Sequence, residues 1–264
     1  MSETFETLTV ERADGIAVVT LNRPPVNAVN LAMQLELREV FESFDEDRSV
    51  RAVVLAGAGE RAFCGGIDLK ELPGTGAGEN IPLKTRLNPG WEWRAAQHAI
   101  RHCAVPVIAA VERPAIGAGF GLVGVSDLII ASETATFALT EINVGLLGGA
   151  SKALHLVGPH KARMMMFTGR AQSAQDMYRF GAIEQVVAAG EALGTAIELA
   201  RDIASKSPIA VRLAKESIVR IETDLIEDQY RTEWDYTNRL GRFEDSEEAK
   251  RAFFEKREAT WKWQ

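Results

Sequence analysis

Two short runs of small residues, each directly behind an apolar stretch, constrain this chain more than any other feature. The first is Ala62-Phe63-Cys64-Gly65-Gly66-Ile67-Asp68, after Ala52–Leu55; the second is Ala115-Ile116-Gly117-Ala118-Gly119-Phe120-Gly121, after Val105–Val111. Both read as buried strands leading into tight turns that open helices. Side chains this small let a ligand approach the main chain, and a helix N-terminus leaves N–H groups unpaired and aimed outward. Brought together, two such turns make a two-donor cradle for an oxygen on which negative charge develops. The pattern names a chemistry as well as a fold.

A chain of 264 residues that is 46% apolar can bury a substantial core, as one large domain or a domain with an appendage. Its formal charge of −7 excludes a general nucleic-acid surface, which needs a basic face. A local Lys/Arg cluster for a phosphorylated ligand remains compatible with it. Cys64 and Cys103 give no disulfide framework and fit a reducing compartment. The acidic start, Met1-Ser2-Glu3-Thr4-Phe5-Glu6, has no signal-peptide apolar region, and no stretch reaches the roughly 18 apolar residues of a membrane span. The expectation is a soluble, cytoplasmic protein.

Strands and helices alternate through the first 190 residues, which predicts an α/β fold with parallel pairing. Thr7–Glu11 and Ile16–Leu21 flank Asp14-Gly15 as a β-hairpin, and Asn30 caps a helix from Leu31 to about Asp45. Further strands are expected at Arg51–Ala56, Pro106–Val111, Asp127–Ala131, Thr136–Leu139 and Glu184–Val187. Helices are expected at Trp91–Arg101, Ala150–Val157 and His160–Phe167, and a mobile loop at Pro73–Pro89. From Glu191 the texture turns all-helical: Glu191–Ser205, Pro208–Arg220, Asp224–Leu240 and Ser246 to about Arg257. This predicts a body, 1–190, and a helical oligomerisation or lid unit, 191–264.

Several motifs are spread along the chain: Leu21-Asn22-Arg23-Pro24 with Asn27-Ala28, the run from Ala62 through Leu69-Lys70-Glu71, Val105–Val111 with the Gly117 turn, and Ser126-Asp127. Phe137–Glu141, Phe167-Thr168-Gly169, Ala214-Lys215-Glu216-Ser217 and Phe253–Arg257 join them. Together, from about residue 5 to 257, they resemble the enoyl-CoA hydratase/isomerase (crotonase) superfamily. The resemblance implies a crotonase-type ββα spiral core, a C-terminal helical domain that drives assembly into a homotrimer or dimer of trimers, and an acyl-CoA thioester as substrate. It places the two main-chain oxyanion donors on Gly65 and Ala118. It lines the substrate with Arg23, Ala28, Ala62, Cys64, Gly66, Ile67, Asp68, Leu69, Gly117, Gly121 and Thr140. No metal or redox cofactor is implied, coenzyme A being part of the substrate. Two departures stand out: Ala118 replaces the usual middle glycine, and Glu112-Arg113-Pro114 replaces the usual Asn-Gly-aromatic.

The carboxylates select the reaction. Two-glutamate hydratases of this family carry one acid just after the Gly-rich turn and another about twenty residues on. The first position is Gly121 here, and the second is Glu141. One carboxylate whose pKa is raised by burial can move a proton between carbons or activate one water. Single-glutamate branches include double-bond isomerases, hydroxycinnamoyl-CoA hydratase-lyases and C–C-cleaving hydrolases of cyclic diketone thioesters. Thr140-Glu141-Ile142-Asn143 with Ser151-Lys152-Ala153 looks most like the hydratase-lyases, for which Tyr230 or Tyr236 offers a phenol. Hydration ranks first, isomerisation second and C–C hydrolysis third, with a catalytically silent acyl-CoA binder as the alternative of another class.

Other patterns carry less. Gly119-Phe120-Gly121-Leu122-Val123-Gly124 spells a dinucleotide fingerprint, but its first glycine does not directly follow a strand. His98 and His102 stand four apart without a third metal ligand nearby, and Cys64 has no histidine partner. Trp91 and Trp93 suit either an acyl-pocket wall or a helix anchor. Arg23, Lys70 and a neighbouring subunit's Lys256 are the candidate cations for the nucleotide phosphates of CoA.

Overall fold

Val53, Val54 and Leu55 have no polar residue among them, as suits a strand covered on both faces, and the molecule is layered around that strand. The computed structural model describes residues 2–71, 87, 88, 90–222 and 225–262, without the side chains of 225–228 and 230. The described strands are β1 (Ser2–Thr4), β2 (Leu8–Ala13), β3 (Ile16–Leu21), β4 (Ala52–Gly57), β5 (Val107–Val111), β6 (Ala115–Ile116), β7 (Leu128–Ser132), β8 (Thr136–Ala138), β9 (Gln172–Ser173) and β10 (Gln185–Val187). The helices are α1 (Leu31–Ser43), α2 (Trp91–Arg101), α3 (Ala118–Gly124), α4 (Ala150–Thr168), α5 (Ala174–Arg179), α6 (Ala192–Ala204), α7 (Pro208–Ile221), α8 (Leu225–Leu240) and α9 (Glu244–Glu255).

One sheet runs β1-β2-β3-β4-β5-β7-β10, antiparallel through β3 and parallel beyond it. A smaller sheet, β6-β8-β9, carries the chain across the carboxyl ends of the parallel strands. The hairpin forms as expected: Ala13 pairs with Ile16, and Asp14 and Gly15 take φ of 52° and 81°, the double-positive turn that matches strand twist. Asn30 caps α1 as expected, its side chain accepting from Met33 N–H at 3.0 Å.

Side chains alternate across β4. Val53 and Leu55 enter the main core with Phe41, Phe44, Phe63, Phe120 and Phe137, while Val54 and Ala56 face the opposite layer. That layer is α6, whose Ala192, Ala196, Ala200 and Ala204 lie against Ile16, Ala52, Ile108 and Ile130. A stripe of alanines every fourth residue lets the helix seat close to the sheet. The first helix of the all-helical stretch thus packs against the sheet. The two helices expected at 150–157 and 160–167 occur as α4 with a break at Gly158 (φ 73°), next to Pro159.

Two of the sequence motifs meet where the tail joins the body. Lys215 of α7, 6% exposed, donates to Asp127 Oδ2 at 2.7 Å and to Val105 O at 3.0 Å, and Asp127 Oδ2 also accepts from Val107 N–H. Beyond that anchor the tail presents apolar side chains outward, among them Ile209, Leu213, Ile221, Phe253 and Phe254. The loop expected at 73–89 lies outside the described residues save for 87 and 88. Among the described residues, no helix is long and apolar enough to cross a membrane.

Candidate active site

The first small-residue turn leaves β4 at Gly57, where a Cβ would lie 2.5 Å from Phe63 O, so the chain folds tightly back on itself. Asn27, 2% exposed and left-handed (φ 53°), holds the turn from beneath, its Nδ2 donating to the carbonyls of Ala58, Ala62 and Phe63 at 2.8–3.1 Å. Segment 26–29 then pairs along the turn: Gly65 N–H donates to Val26 O, Val29 N–H to Gly66 O, and Asp68 N–H to Val29 O, each at 2.8 Å. Successive N–H groups of an extended chain point to opposite sides. Ile67 N–H therefore faces away from segment 26–29, and among the described residues it has no acceptor.

This corrects the expectation that Gly65 supplies the first donor. Its N–H is spent on Val26, and the donor left open on this turn is Ile67. Ala118 opens α3, its N–H has no intrahelical acceptor, and its φ is not positive. An alanine is accommodated at 118 because the first helical position asks for nothing that a Cβ forbids.

The two turns touch. Ile116 N–H donates to Cys64 O at 2.9 Å, and Cys64 pairs with Ala115 in an isolated bridge. A Cβ on Gly119 would lie 2.4 Å from Cys64 O, and one on Gly117 would lie 3.7 Å from Gly66 Cα. Gly117 takes φ 55° and ψ −112°, with its N–H on Ala138 O at 2.9 Å. Glycine is required at 117 for its dihedrals and at 119 for the contact. The altered Glu112-Arg113-Pro114 segment has its own work here. Pro114 O accepts from Phe63 N–H, while Glu112 caps the start of α6 by accepting from Gly190 and Ala192 N–H.

Glu141 lies against this junction. It opens the 3-10 turn Glu141–Val144, and its Oε1 would sit 3.1 Å from a Cβ on Gly117 and 3.4 Å from one on Gly148. Its Oε2 is buried without a hydrogen-bond partner. Leu139, Ile142, Leu146, Leu147 and Met166 line the small cleft beside it. Burial pushes its carboxyl up to about 7; its own N–H opposes the shift and the Glu233 carboxylate adds to it. An acid held near neutrality beside a two-donor junction can both give and take a proton at working pH.

The space that a first glutamate would take at Gly121 is occupied from α2, with Trp93 Cζ2 3.4 Å and Gln97 Oε1 3.7 Å from where a Cβ would stand. Trp93 is thus a packed anchor. Arg23 is engaged within the first turn, donating to Asp68 Oδ2 at 2.8 Å and Ala28 O at 3.0 Å with Glu71 Oε1 3.6 Å away, so it braces the loop. Ala62 and Cys64 are buried behind the turn, and Leu69 and Lys70 follow it in a 3-10 turn. Thr140 precedes Glu141 without capping through its side chain. Lys256 is exposed at the end of α9.

The remaining patterns resolve simply. Burial drives the Cys64 thiol up to about 12, which leaves no nucleophile at neutral pH. His98 and His102 stack at 3.9 Å on an exposed face, and no metal-ligating cluster occurs among the described residues. The 119–124 glycine pattern lies inside α3. Tyr236 is half exposed on α8, and the side chain of Tyr230 lies outside the described residues. Sequence reasoning missed the open N–H of Ile67, Gly148 beside the acid, and Glu233 and Gln97, whose buried oxygens lack partners; Ser151, read there only as part of a motif, has such an oxygen too. None of them carried a local signal, since what singles out Ile67 is the pairing of segment 26–29 with its neighbours.

Known proteins resemble this chain over nearly its whole length. A probable enoyl-CoA hydratase of Rhizobium meliloti is 37% identical over 98% of this chain and 98% of its own. The (7aS)-7a-methyl-1,5-dioxo-2,3,5,6,7,7a-hexahydro-1H-indene-carboxyl-CoA hydrolase of Mycobacterium tuberculosis is 37% identical over 92% of this chain and 96% of its own. The crystal structure of carnitinyl-CoA hydratase from Mycobacterium avium superposes with a TM-score of 0.85 at 33% identity, covering 99% of this chain and 100% of that one. The enoyl-CoA hydratase/isomerase family model matches residues 11–264, and the chain belongs to that family.

Proposed function

We propose that this protein adds water across the double bond of an enoyl-CoA thioester, with Ile67 and Ala118 N–H groups holding the thioester oxygen and Glu141 exchanging the proton at the adjacent carbon. The observation that carries this reading is the position of Glu141, against Gly117 where the two turns meet, with a carboxyl poised at about 7. Addition to the conjugated double bond drives charge onto the thioester oxygen, and preorganised N–H donors stabilise that enolate by roughly 3–4 kcal/mol each in comparable sites. Addition of water changes no oxidation state, so the step balances without a redox partner. The outward apolar side chains of the tail support assembly into a trimer or a dimer of trimers.

A second reading, hydrolytic C–C cleavage of a cyclic diketone thioester, is favoured by the Mycobacterium tuberculosis hydrolase together with the absent acid at Gly121. The test is wild type and Glu141→Gln on a panel of crotonyl-CoA, a 3-enoyl-CoA and a cyclic 1,3-diketone CoA thioester. Hydration by wild type, lowered about 100- to 10,000-fold in kcat by the substitution with little change in KM, supports the first reading. Cleavage of the diketone thioester with crotonyl-CoA untouched supports the second. A wild-type protein that binds CoA yet turns over nothing is a silent family member.

A further inference from the structure

Three buried oxygens without partners are Glu141 Oε2, Ser151 Oγ and Glu233 Oε2, and Glu233 is tied to Ser151 through its other oxygen. Glu233 and Thr237 are four apart on α8, so they share a face, and both grip the segment that follows Glu141. Thr237 donates to Leu147 O at 2.7 Å, and Glu233 Oε1 accepts from Ser151 N–H at 2.5 Å. Gly148, between those two anchor points, lies against Glu141 Oε1. Ser151 is 2% exposed, its hydroxyl unsatisfied although its N–H is held.

Capping α4 explains one oxygen of Glu233. It does not explain why a carboxylate is used beside a second carboxylate, or why its other oxygen is buried unpaired. A glutamine would cap equally well at lower electrostatic cost, and native structures rarely bury unpaired polar atoms without use.

We propose that Glu233 and Glu141 form a two-carboxylate water site, in which Glu233 and Ser151 Oγ hold the attacking water and Glu141 serves the carbon next to the thioester. The helical tail thereby supplies the second acid that Gly121 cannot. This rests on the hydration reading above. Glu233 takes a proton from water as the oxygen bonds to the β-carbon, and the π electrons move through the α-carbon onto the thioester oxygen. The enolate then takes its proton at the α-carbon from Glu141. H and OH have been added, and one proton passes from Glu233 to Glu141, through Ser151 Oγ, to restore the pair. Among the described residues, Glu233 is the charged group whose field acts on Glu141.

Glu233→Gln keeps an acceptor for Ser151 N–H and removes the base. With crotonyl-CoA as probe, kcat is expected to fall about 100-fold or more with KM within about threefold, and the denaturant midpoint to hold. A kcat within threefold of wild type overturns the inference. Should that variant not fold, Ser151→Ala decides: a kcat tenfold lower supports the site, and an unchanged kcat overturns it. A readout free of turnover accompanies both, the titration of the Glu141 carboxyl by carbon-13 NMR. Its midpoint falls in Glu233→Gln if the carboxylates face one another, and an unmoved midpoint overturns the pairing. A wild type inert on every thioester defeats the hydration reading, and the titration then decides the pairing alone.

Discussion

Replacing Glu141 by glutamine should change how stability depends on pH, by an amount that follows from its burial. The carboxyl rises from 4.5 to about 7 on folding. A group whose folded value lies above its unfolded one contributes stability that is complete below the unfolded value. That contribution is lost as pH rises through the folded value. The wild-type protein should therefore lose stability relative to Glu141→Gln between pH 5 and pH 8.5, by about 2.5 kcal/mol at 1.36 kcal/mol per unit. Any fixed cost of seating the amide appears at both pH values and cancels. The assay is urea unfolding of both proteins at matched concentration across that range. Glutamine should gain on glutamate steadily up to about pH 7 and level off above it. Curves that stay parallel within about 0.5 kcal/mol would refute the argument, because the carboxyl would then not be desolvated.

Two further substitutions probe the scaffold. Gly119→Ala places a Cβ 2.4 Å from Cys64 O, about 1 Å inside ordinary contact, so the turns must part. The expected cost is ~1–3 kcal/mol in stability and ~100-fold in kcat. Gly194→Ala, on α6 with nothing within 4 Å of the new atom, should leave kcat alone and stabilise by ~0.5–1 kcal/mol. Wild-type turnover by Gly119→Ala would show that the turns need not touch. Lys215→Met removes a buried ammonium from Asp127, whose side chain is 27% exposed, and should cost ~1.5–3 kcal/mol in unfolding free energy; a loss under about 0.5 kcal/mol would mean the pair is solvated.

What was legible in the sequence was what is local. Apolar runs followed by small residues gave the strands and both turns, Asn30 and Asp14-Gly15 gave a cap and a hairpin, and Glu141, singled out by its spacing from Gly121, lies beside the junction of the turns. Which amide of the first turn stays open was not legible, because Gly65 and Ile67 differ only in how segment 26–29 pairs with them. Arg23 read as a free cation until folding brought Asp68 and Ala28 to it. The alanines of α6 were visible at fourfold spacing, yet composition alone placed that helix with the tail rather than on the sheet. Glu233 carried no signal, since its meaning lies in a contact with Ser151 far along the chain.

The most direct test of the central claim is a crystal structure of Glu141→Gln with crotonyl-CoA bound. The thioester oxygen is expected within about 3.1 Å of both Ile67 N and Ala118 N, with the α-carbon turned toward residue 141. An oxygen bonded to neither amide, or an acyl chain lying away from residue 141, would contradict it.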